Sequence, residues 1–479
     1  MTGVAIPLCV DLDGTLIRTD LLHESALALA RQEPLSLLLI PGWLSRGRAH
    51  LKHAIAERVS IDVATLPYNV DVLAVINEAR RAGRPVILAT AAAPQFAAAV
   101  ASHLGLFDAV ISSDATTNLS GAAKADRLVA RFGDRGFDYI GNDHVDAAIW
   151  DKARRAHVVG GRRSLHQRAT ASGAEVHPIA SPARAGRAFL RAIRPVQWLK
   201  NLLVFVPLLA GQKLGDPTLF LNAVLAFVAF SLTASSVYIV NDLLDLDADR
   251  RHHRKAARPF ASGALPVGVG VLAAPALLAA GILVGLLLPP MFLVVLGCYI
   301  VLTGLYSFWL KRHVIVDVIL LAGLYTLRII AGSAATGIAP SFWLLAFSQF
   351  IFFSLALVKR YTELRLKEDD GGILAGRGYY AGDLPVLMAL GASSGMMAVL
   401  VLALYIESPA TAALYAGRNW LWLIPPPVLY WVARLWMKTH RGEVHDDPVV
   451  FAARDRQSLV LAGILGMIFI AAANNWRFW

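Results

Sequence analysis

The sequence predicts two domains of different class. An N-terminal α/β domain with a Rossmann-like parallel sheet and a small helical cap comes first, then an all-α bundle of nine transmembrane helices. Three observations predict this. Charged and apolar residues mix evenly to about residue 190, and from about 199 long apolar runs follow one another with short polar breaks. The 479 residues exceed one ordinary domain, and 56% hydrophobic against 16% charged residues is too apolar for a wholly soluble chain. In the first part, short apolar runs ending in acids or hydroxyls alternate with helical stretches. The boundary is expected after the small, polar stretch around Ser172–Arg187, giving domains 1–190 and 191–479.

Within 1–190, Pro7–Leu16 (PLCVDLDGTL) reads as a strand ending in two carboxylates and a turn. Pro85–Thr90 (PVILAT) is a second strand ending in a hydroxyl, Lys124 lies in a polar loop, and Phe137–Asp146 (FDYIGNDHVD) is a strand ending in acids. Helical stretches at 70–82 and 94–104 imply parallel pairing, which gathers strand carboxyl ends into one ligand site. The set suits phosphoryl transfer: one carboxylate attacks phosphorus, a second protonates the leaving oxygen, and magnesium, a lysine and a hydroxyl stabilise the other oxygens.

These motifs resemble the haloacid dehalogenase (HAD) superfamily across about 5–165. The resemblance implies Asp11 as nucleophile, Asp13 as acid/base, and Thr90 and Lys124 as phosphate binders. It places Asp11, Asp13, Asp143 and Asp146 around magnesium, with a cap over about 20–66. One departure stands out: Asn142 follows Gly141 where the family has Asp. Either Asp143 or Asp146 substitutes, or the domain is folded but weakly active.

A helix crosses the hydrocarbon with about 20 residues. Nine spans are expected at 199–212, 218–241, 266–288, 290–310, 314–337, 341–358, 385–406, 420–437 and 457–474. The loops after the even-numbered spans carry nearly all the loop Lys and Arg. That places them, and the N-terminal domain, in the cytosol, with the C-terminus outside the inner (cytoplasmic) membrane. The net charge of +11 fits this topology or a phosphate site and calls for no nucleic acid. Cys9 and Cys298 lie in apolar runs and read as buried thiols, not a disulfide or zinc framework. Met1–Pro7 is too short for a signal peptide.

Where span two meets the cytosol, Asn241–Asp249 (NDLLDLDAD) puts Asp242, Asp245 and Asp249 at i, i+3 and i+7, one helical face. Packed together they repel unless a cation intervenes, and Mg2+, which takes oxygen ligands and shares them with phosphates, fits. Asp247 falls off that face, into solvent. The basic run Arg250–Pro259 reads as a topology anchor or, better, as a grip on the remaining anionic oxygens of a metal diphosphate. A second constellation comprises Tyr306, Lys311, Asp317 and Arg328. Asp317 and Arg328 share a face of span five but lie too far apart on it to pair, and ionisable residues there are functional by default. Lys359, Arg360, Glu363, Arg377, His445, Asp446 and Asp447 give weaker, loop-like signals.

These residues resemble the UbiA superfamily of intramembrane prenyltransferases across about 190–479, on the N-D-x-x-D-x-x-x-D motif at Asn241, Asp242, Asp245 and Asp249. The finer likeness is to its phosphoribosyl-transferring branch. It rests on Arg194, Pro195, Trp198, Lys200 and Asn201, on the Tyr-Ser-x-x-Leu-Lys element at 306–311, and on Asp317 and Arg328. The stretch 313–321 offers only Asp317 where prenyl-diphosphate enzymes carry a second carboxylate pair. The resemblance implies transfer of a phosphoribosyl group from phosphoribosyl diphosphate to a polyprenyl phosphate, with Arg258, Lys311 and Lys359 as phosphate grips. The HAD-like domain would then remove the 5-phosphate. A homo-oligomer is compatible with this reading. The competing readings are an aromatic-ring prenyltransferase of the same superfamily, and a transporter or scaffold with an inactive HAD domain.

Overall fold

The computed structural model describes residues 5–180, 185–366, 373–374, 377–415, 417–444 and 447–474. The chain divides into two compact units: Met1–Ile193 with Tyr238–Ala274, and Arg194–Val237 with Pro275–Trp479. Sequence patterning assigns 238–274 to the membrane domain; in the fold this segment packs with the N-terminal unit.

The first unit is built on six parallel strands: β1 (Leu8–Val10), β2 (Val86–Ala89), β3 (Ala109–Ile111), β4 (Asp138–Gly141), β5 (Arg155–Val159) and β6 (Glu175–Ile179), in the order β3-β2-β1-β4-β5-β6. β1, β2 and β4 are buried throughout; β1 and β2 read as unbroken apolar runs, and β4 does so after Asp138. The order reverses between β1 and β4, which places a ligand crevice at their carboxyl ends. β3, β5 and β6 are strands that the motif reading does not single out. β6 lies inside the small, polar stretch that precedes the expected domain boundary; as the sheet's edge strand it tolerates Pro178. The cap is helical over Leu21–Gln32, Ile40–Ser45 and Arg48–Ala56. Leu21–Gln32 starts where the Asp20 side chain accepts the N–H groups of Leu22 and His23. Behind β4, Asp138 is fully buried and takes Arg154 at 2.7 and 2.8 Å and also Arg84. Burial pushes its carboxyl up, but the two guanidinium groups outweigh that and hold it below the usual range.

Among the described residues, seven helices are long and apolar enough to cross a membrane: Pro217–Leu244, Val267–Gly285, Pro290–Phe308, Val316–Thr336, Phe342–Arg365, Ala381–Glu407 and Arg456–Ala473. The other two expected spans are shorter. The first is a 3-10 stretch, Pro195–Phe205, running into the α-turn Val206–Ala210. The second is the 3-10 stretch Arg418–Leu423 followed by the helix Pro425–His440. Pro195 opens the first 3-10 stretch. Pro207 and Pro425–Pro427 sit in the first turns of the α segments that follow each stretch, where their missing N–H groups keep the α pattern from running back into the 3-10 residues. Leu286, Leu287, Met291, Val294 and Val301 are exposed, as lipid-facing side chains are. Cys9 is buried as expected, but Cys298 is exposed on such a helix.

His157 on β5 is half-buried and stacks on His177 of β6, with ring centroids 5.1 Å apart. Burial, and then the neighbouring imidazole, push it down from 6.5 to about 4. Between these values the unfolded chain takes up a proton that the folded chain refuses, so stability falls as pH falls through the window. Protection factors of the β5 amides, corrected for the intrinsic pH dependence of exchange, are expected to fall on acidification from pH 6.5 to 4, and His157→Phe to flatten that dependence.

Candidate active sites

In the first unit, Asp11 follows β1 and Asn142 follows β4, so the topology sets them side by side. Lys124, from the helix Ala122–Phe132, donates to Asp11 Oδ1 at 2.6 Å and to the Tyr139 hydroxyl at 3.0 Å. Thr15 donates to Asp11 Oδ2 at 3.3 Å and to Asn142 Oδ1 at 3.1 Å. Gly14 makes this possible: its φ is +72°, and a Cβ there would sit 2.3 Å from Asn142 Nδ2. Asp13 Oδ1 accepts the N–H of Leu21 at 2.9 Å. Burial, then the charge of Asp20, push Asp13 up to about 8, which keeps a proton on it at neutral pH. A cleft of about 400 Å³ is lined by Asp11, Asp13, Lys124, Asn142, Asp143 and by Lys52 from the cap. Thr90 is fully buried after β2, with its hydroxyl accepting the N–H of Ala92 at 2.9 Å.

Asp146 differs from the role the resemblance implies. Its Oδ2 accepts the N–H groups of Asn142 and Asp143 at 3.0 and 3.1 Å, and its Oδ1 accepts the Tyr139 hydroxyl at 3.0 Å. These bonds make it an anchor for the loop after β4. Asp143 is the acid that the same loop offers to the cleft. The donor set of Asp11, Asp143 and Asn142 is all oxygen, which is what magnesium takes.

The second acidic group belongs to the same unit. The helix Pro217–Leu244 breaks at Asp245, and Leu246–Arg251 follows. Asp245 N–H still donates to Asn241 O at 2.9 Å, and Asp249 N–H to Asp245 O at 2.8 Å, so the helical phase is kept. Asp242 and Asp249 meet on one nitrogen of Arg258, at 3.0 and 2.5 Å. Burial pushes Asp249 up, against the pull of Arg258. Among the described residues no three Asp, Glu, His or Cys side chains gather as a ready metal cluster. The buried oxygens of Asp242 and Asp249 nevertheless converge on a cation, and their hard-oxygen chemistry fits magnesium.

Three assignments for this stretch change. Asp247 is partly exposed, as expected, but also pairs with Arg31 of the cap. Arg250 makes a two-pronged pair with Glu24 at 2.6 and 3.2 Å, with side chains only 3% and 4% exposed. Arg251 pairs with Asp62 at 2.7 Å. The start of the basic run therefore serves the cap's acids, which lie about 190 to 230 residues away in sequence, out of reach of local pattern reading.

In the second unit, Lys200 meets Asp447 at 2.5 Å, Lys359 lies 3.9 Å from the same carboxylate, and the Tyr325 hydroxyl is 3.4 Å from it. The lysine charges hold the Asp447 carboxyl below its usual range although burial opposes them. Arg328 is buried: Nε donates to Asn201 Oδ1 at 2.8 Å, and its guanidinium packs over the rings of Phe230, Tyr299 and Tyr325. Asp447, Asn201 and Tyr325 thus matter more than their sequence signals suggest. Asp317 and Arg328 do not pair, as their spacing demands. Asp317 instead meets Arg360 at 2.6 Å, both fully buried, and accepts the Tyr379 hydroxyl at 2.6 Å. It is a structural ion pair more than an open ligand. Tyr306 and Lys311 are half-buried at and after the end of Pro290–Phe308. His445 and Asp446 lie outside the described residues.

The UbiA prenyltransferase family model matches residues 202–459. The chain belongs to that family. The haloacid dehalogenase-like hydrolase model matches 8–149, so this is a multi-pass membrane enzyme of the UbiA superfamily with a fused HAD-like domain. The uncharacterized protein y4nM of Sinorhizobium fredii is 39% identical over 472 residues, 98% of this chain and 91% of that one. Decaprenyl-phosphate phosphoribosyltransferase of Corynebacterium glutamicum is 38% identical over 194 residues, 40% of this chain and 58% of that protein. A UbiA homolog from Archaeoglobus fulgidus bound to GPP and Mg2+ aligns with a TM-score of 0.44 at 19% identity, over 60% of this chain and 98% of that one.

Glu24→Ala leaves the Arg250 guanidinium buried without its partner, a loss of about 3–5 kcal/mol. Hydrogen exchange in 246–258 is expected to quicken in this variant, and the charge swap Glu24→Arg with Arg250→Glu to restore part of the protection.

Proposed function

We propose that this enzyme transfers a 5-phosphoribosyl group from phosphoribosyl diphosphate to a polyprenyl phosphate, and that its HAD-like domain then removes the 5-phosphate. The carrying observation is that one compact unit holds both the buried Asp242/Asp249 pair and the complete Asp11–Asp13–Lys124 cleft. Two further facts favour a sugar donor: Asp317 is closed in its ion pair, and the corynebacterial relative bears that activity in its name.

In the transfer, an oxygen of the lipid phosphate bonds to the anomeric carbon as the bond to diphosphate breaks. That oxygen is already anionic and needs no strong base. Asp242, Asp245 and Asp249 would hold magnesium, which when bound stabilises the leaving diphosphate's charge. Lys200 and Lys359 supply cations to a phosphate, and Asp447 keeps them placed. In the second step, Asp11 attacks the 5-phosphate phosphorus while Asp13 gives its proton to the departing sugar oxygen. Asp13 then takes a proton from the water that cleaves the aspartyl-phosphate.

The same reading places the protein in the inner membrane with its N-terminal domain in the cytosol. The basic loops support it, and so does helix geometry. Eleven 3-10 residues at about 2.0 Å rise and five α residues at about 1.5 Å let 195–210 reach about 30 Å, a hydrocarbon thickness.

Purified protein given labelled phosphoribosyl diphosphate and polyprenyl phosphate is expected to yield a labelled lipid; no such lipid overturns the transferase reading. Asp245→Ala is expected to lower its formation by roughly 10²-fold, as loss of a positioned electrostatic group does. Asp11→Asn is expected to leave transfer intact and accumulate the 5-phosphorylated lipid. Labelled prenyl diphosphate with an aromatic acceptor tests the other chemistry of the family, and product there instead would replace the proposal.

A further inference from the structure

The catalytic cleft of the HAD-like domain opens beside a larger cavity of about 1300 Å³ in the same unit. The two share Gly14, Arg18, Asn142 and Pro266 in their walls. Their charges differ. The cleft mixes Asp11, Asp13, Asp20, Asp143 and Asp146 with Lys52, Lys124 and the shared Arg18. The cavity carries Arg18, Arg162, Arg187 and Arg191 and no carboxylate. Arg162 reaches toward the cleft, with its guanidinium 3.4 Å from Asn142 O. Arg187 and Arg191 stand exposed one turn apart on the helix Ala185–Ala192, and neither has a hydrogen-bond or ion-pair partner among the described residues.

Another part of the wall comes from Ser262–Pro266 and Val269, about a dozen residues beyond the aspartate motif. It is held close by fit: a Cβ on Gly263, whose φ is +69°, would lie 2.5 Å from Arg18 Cβ. Phe189, Leu265 and Val269 give the cavity an apolar margin.

We propose that this arginine-lined vestibule binds a second anionic group of the phosphatase substrate, a phosphodiester or phosphate on the sugar carbon away from the phosphate being removed. The inference rests on the phosphatase reading above and adds the substrate's shape: a sugar phosphorylated at both ends. In the cleft Lys124 is already paired with Asp11 beside the phosphate to be removed, so a second anion is gripped and aligned by the adjoining set of guanidinium groups. A volume of this size has room for a phosphosugar and the first units of an attached prenyl chain.

The test uses full-length protein and the double variant Arg187→Gln, Arg191→Gln. Phosphate release is followed from ribose 5-phosphate, ribose 1,5-bisphosphate and citronellyl-phosphoryl-ribose 5-phosphate. The variant is expected to lose roughly tenfold or more in kcat/KM on the diester, through KM, and nothing on ribose 5-phosphate. An equal loss on the bisphosphate supports a site that reads any second anion. A loss on the diester alone supports one that reads the lipid-borne group. No loss on either doubly anionic substrate, or the same loss on all three, overturns the proposal. If wild-type protein hydrolyses none of them, the phosphatase reading falls. The vestibule is then judged by equilibrium dialysis of labelled ribose 1,5-bisphosphate: weaker retention by the double variant supports it, and equal retention overturns it.

Discussion

The buried pair between Glu24 and Arg250 constrains much of the first unit. Two charges taken out of water cost several kcal/mol each unless the geometry compensates. Here both terminal guanidinium nitrogens meet Glu24, Nε donates to Ala261 O at 3.2 Å, and Thr19 adds its hydroxyl to Glu24 at 2.5 Å. Arg250 directly follows Asp249, and Glu24 lies in the first turn of the first cap helix. The place of the acidic motif therefore depends on a folded cap, and the cap's register depends on the motif. Arg31 with Asp247 and Arg251 with Asp62 repeat the link on either side. These outer pairs are more exposed, so they add orientation more than stability.

What the sequence disclosed was whatever local pattern encodes. Strand-end acids, a hydroxyl and a lysine in order marked the parallel sheet and its cleft, because a sheet edge gathers residues that chain order alone predicts. Apolar run length marked the membrane helices. It overcounted the regular ones, since run length does not distinguish an α-helix from a 3-10 stretch that begins at proline, as Pro195–Phe205 does, or runs into prolines, as Arg418–Leu423 does. The partners of charged residues were not legible. Asp247 and Arg251 looked like solvated or phosphate-binding groups because their counter-ions come from the cap. Asp317 looked like a ligand because neither Arg360 nor Tyr379 is near it in sequence. Asp447 looked like one acid in a loop, though it has two lysines and a tyrosine around it.

Charge is arranged here by neutralising it locally. Asp138 is fully buried between two arginines, and Arg328 spreads its charge over three aromatic rings and an amide. Asp146 is consumed by three donors and so fixes the loop that carries Asn142. That loop in turn explains why a residue without charge can stand beside Asp11. The Asn142 carboxamide accepts the Thr15 hydroxyl while Gly14 leaves space for its nitrogen, a fit that needs shape as much as charge.

Arg258 carries the same logic to the acidic motif. Repulsion between converging carboxylates was the reason to expect a divalent ion at Asp242 and Asp249, and the guanidinium already meets that electrostatic need. A single nitrogen shared by two carboxylates leaves the other donors of the fork unspent on these acids, and a guanidinium is suited to phosphate oxygens as well. The residue assigned from sequence to the substrate's anions and the residues assigned to the metal are thus one electrostatic group. Removing the arginine alone leaves two buried acids facing each other, so its loss raises the cost of their ionisation before any substrate arrives.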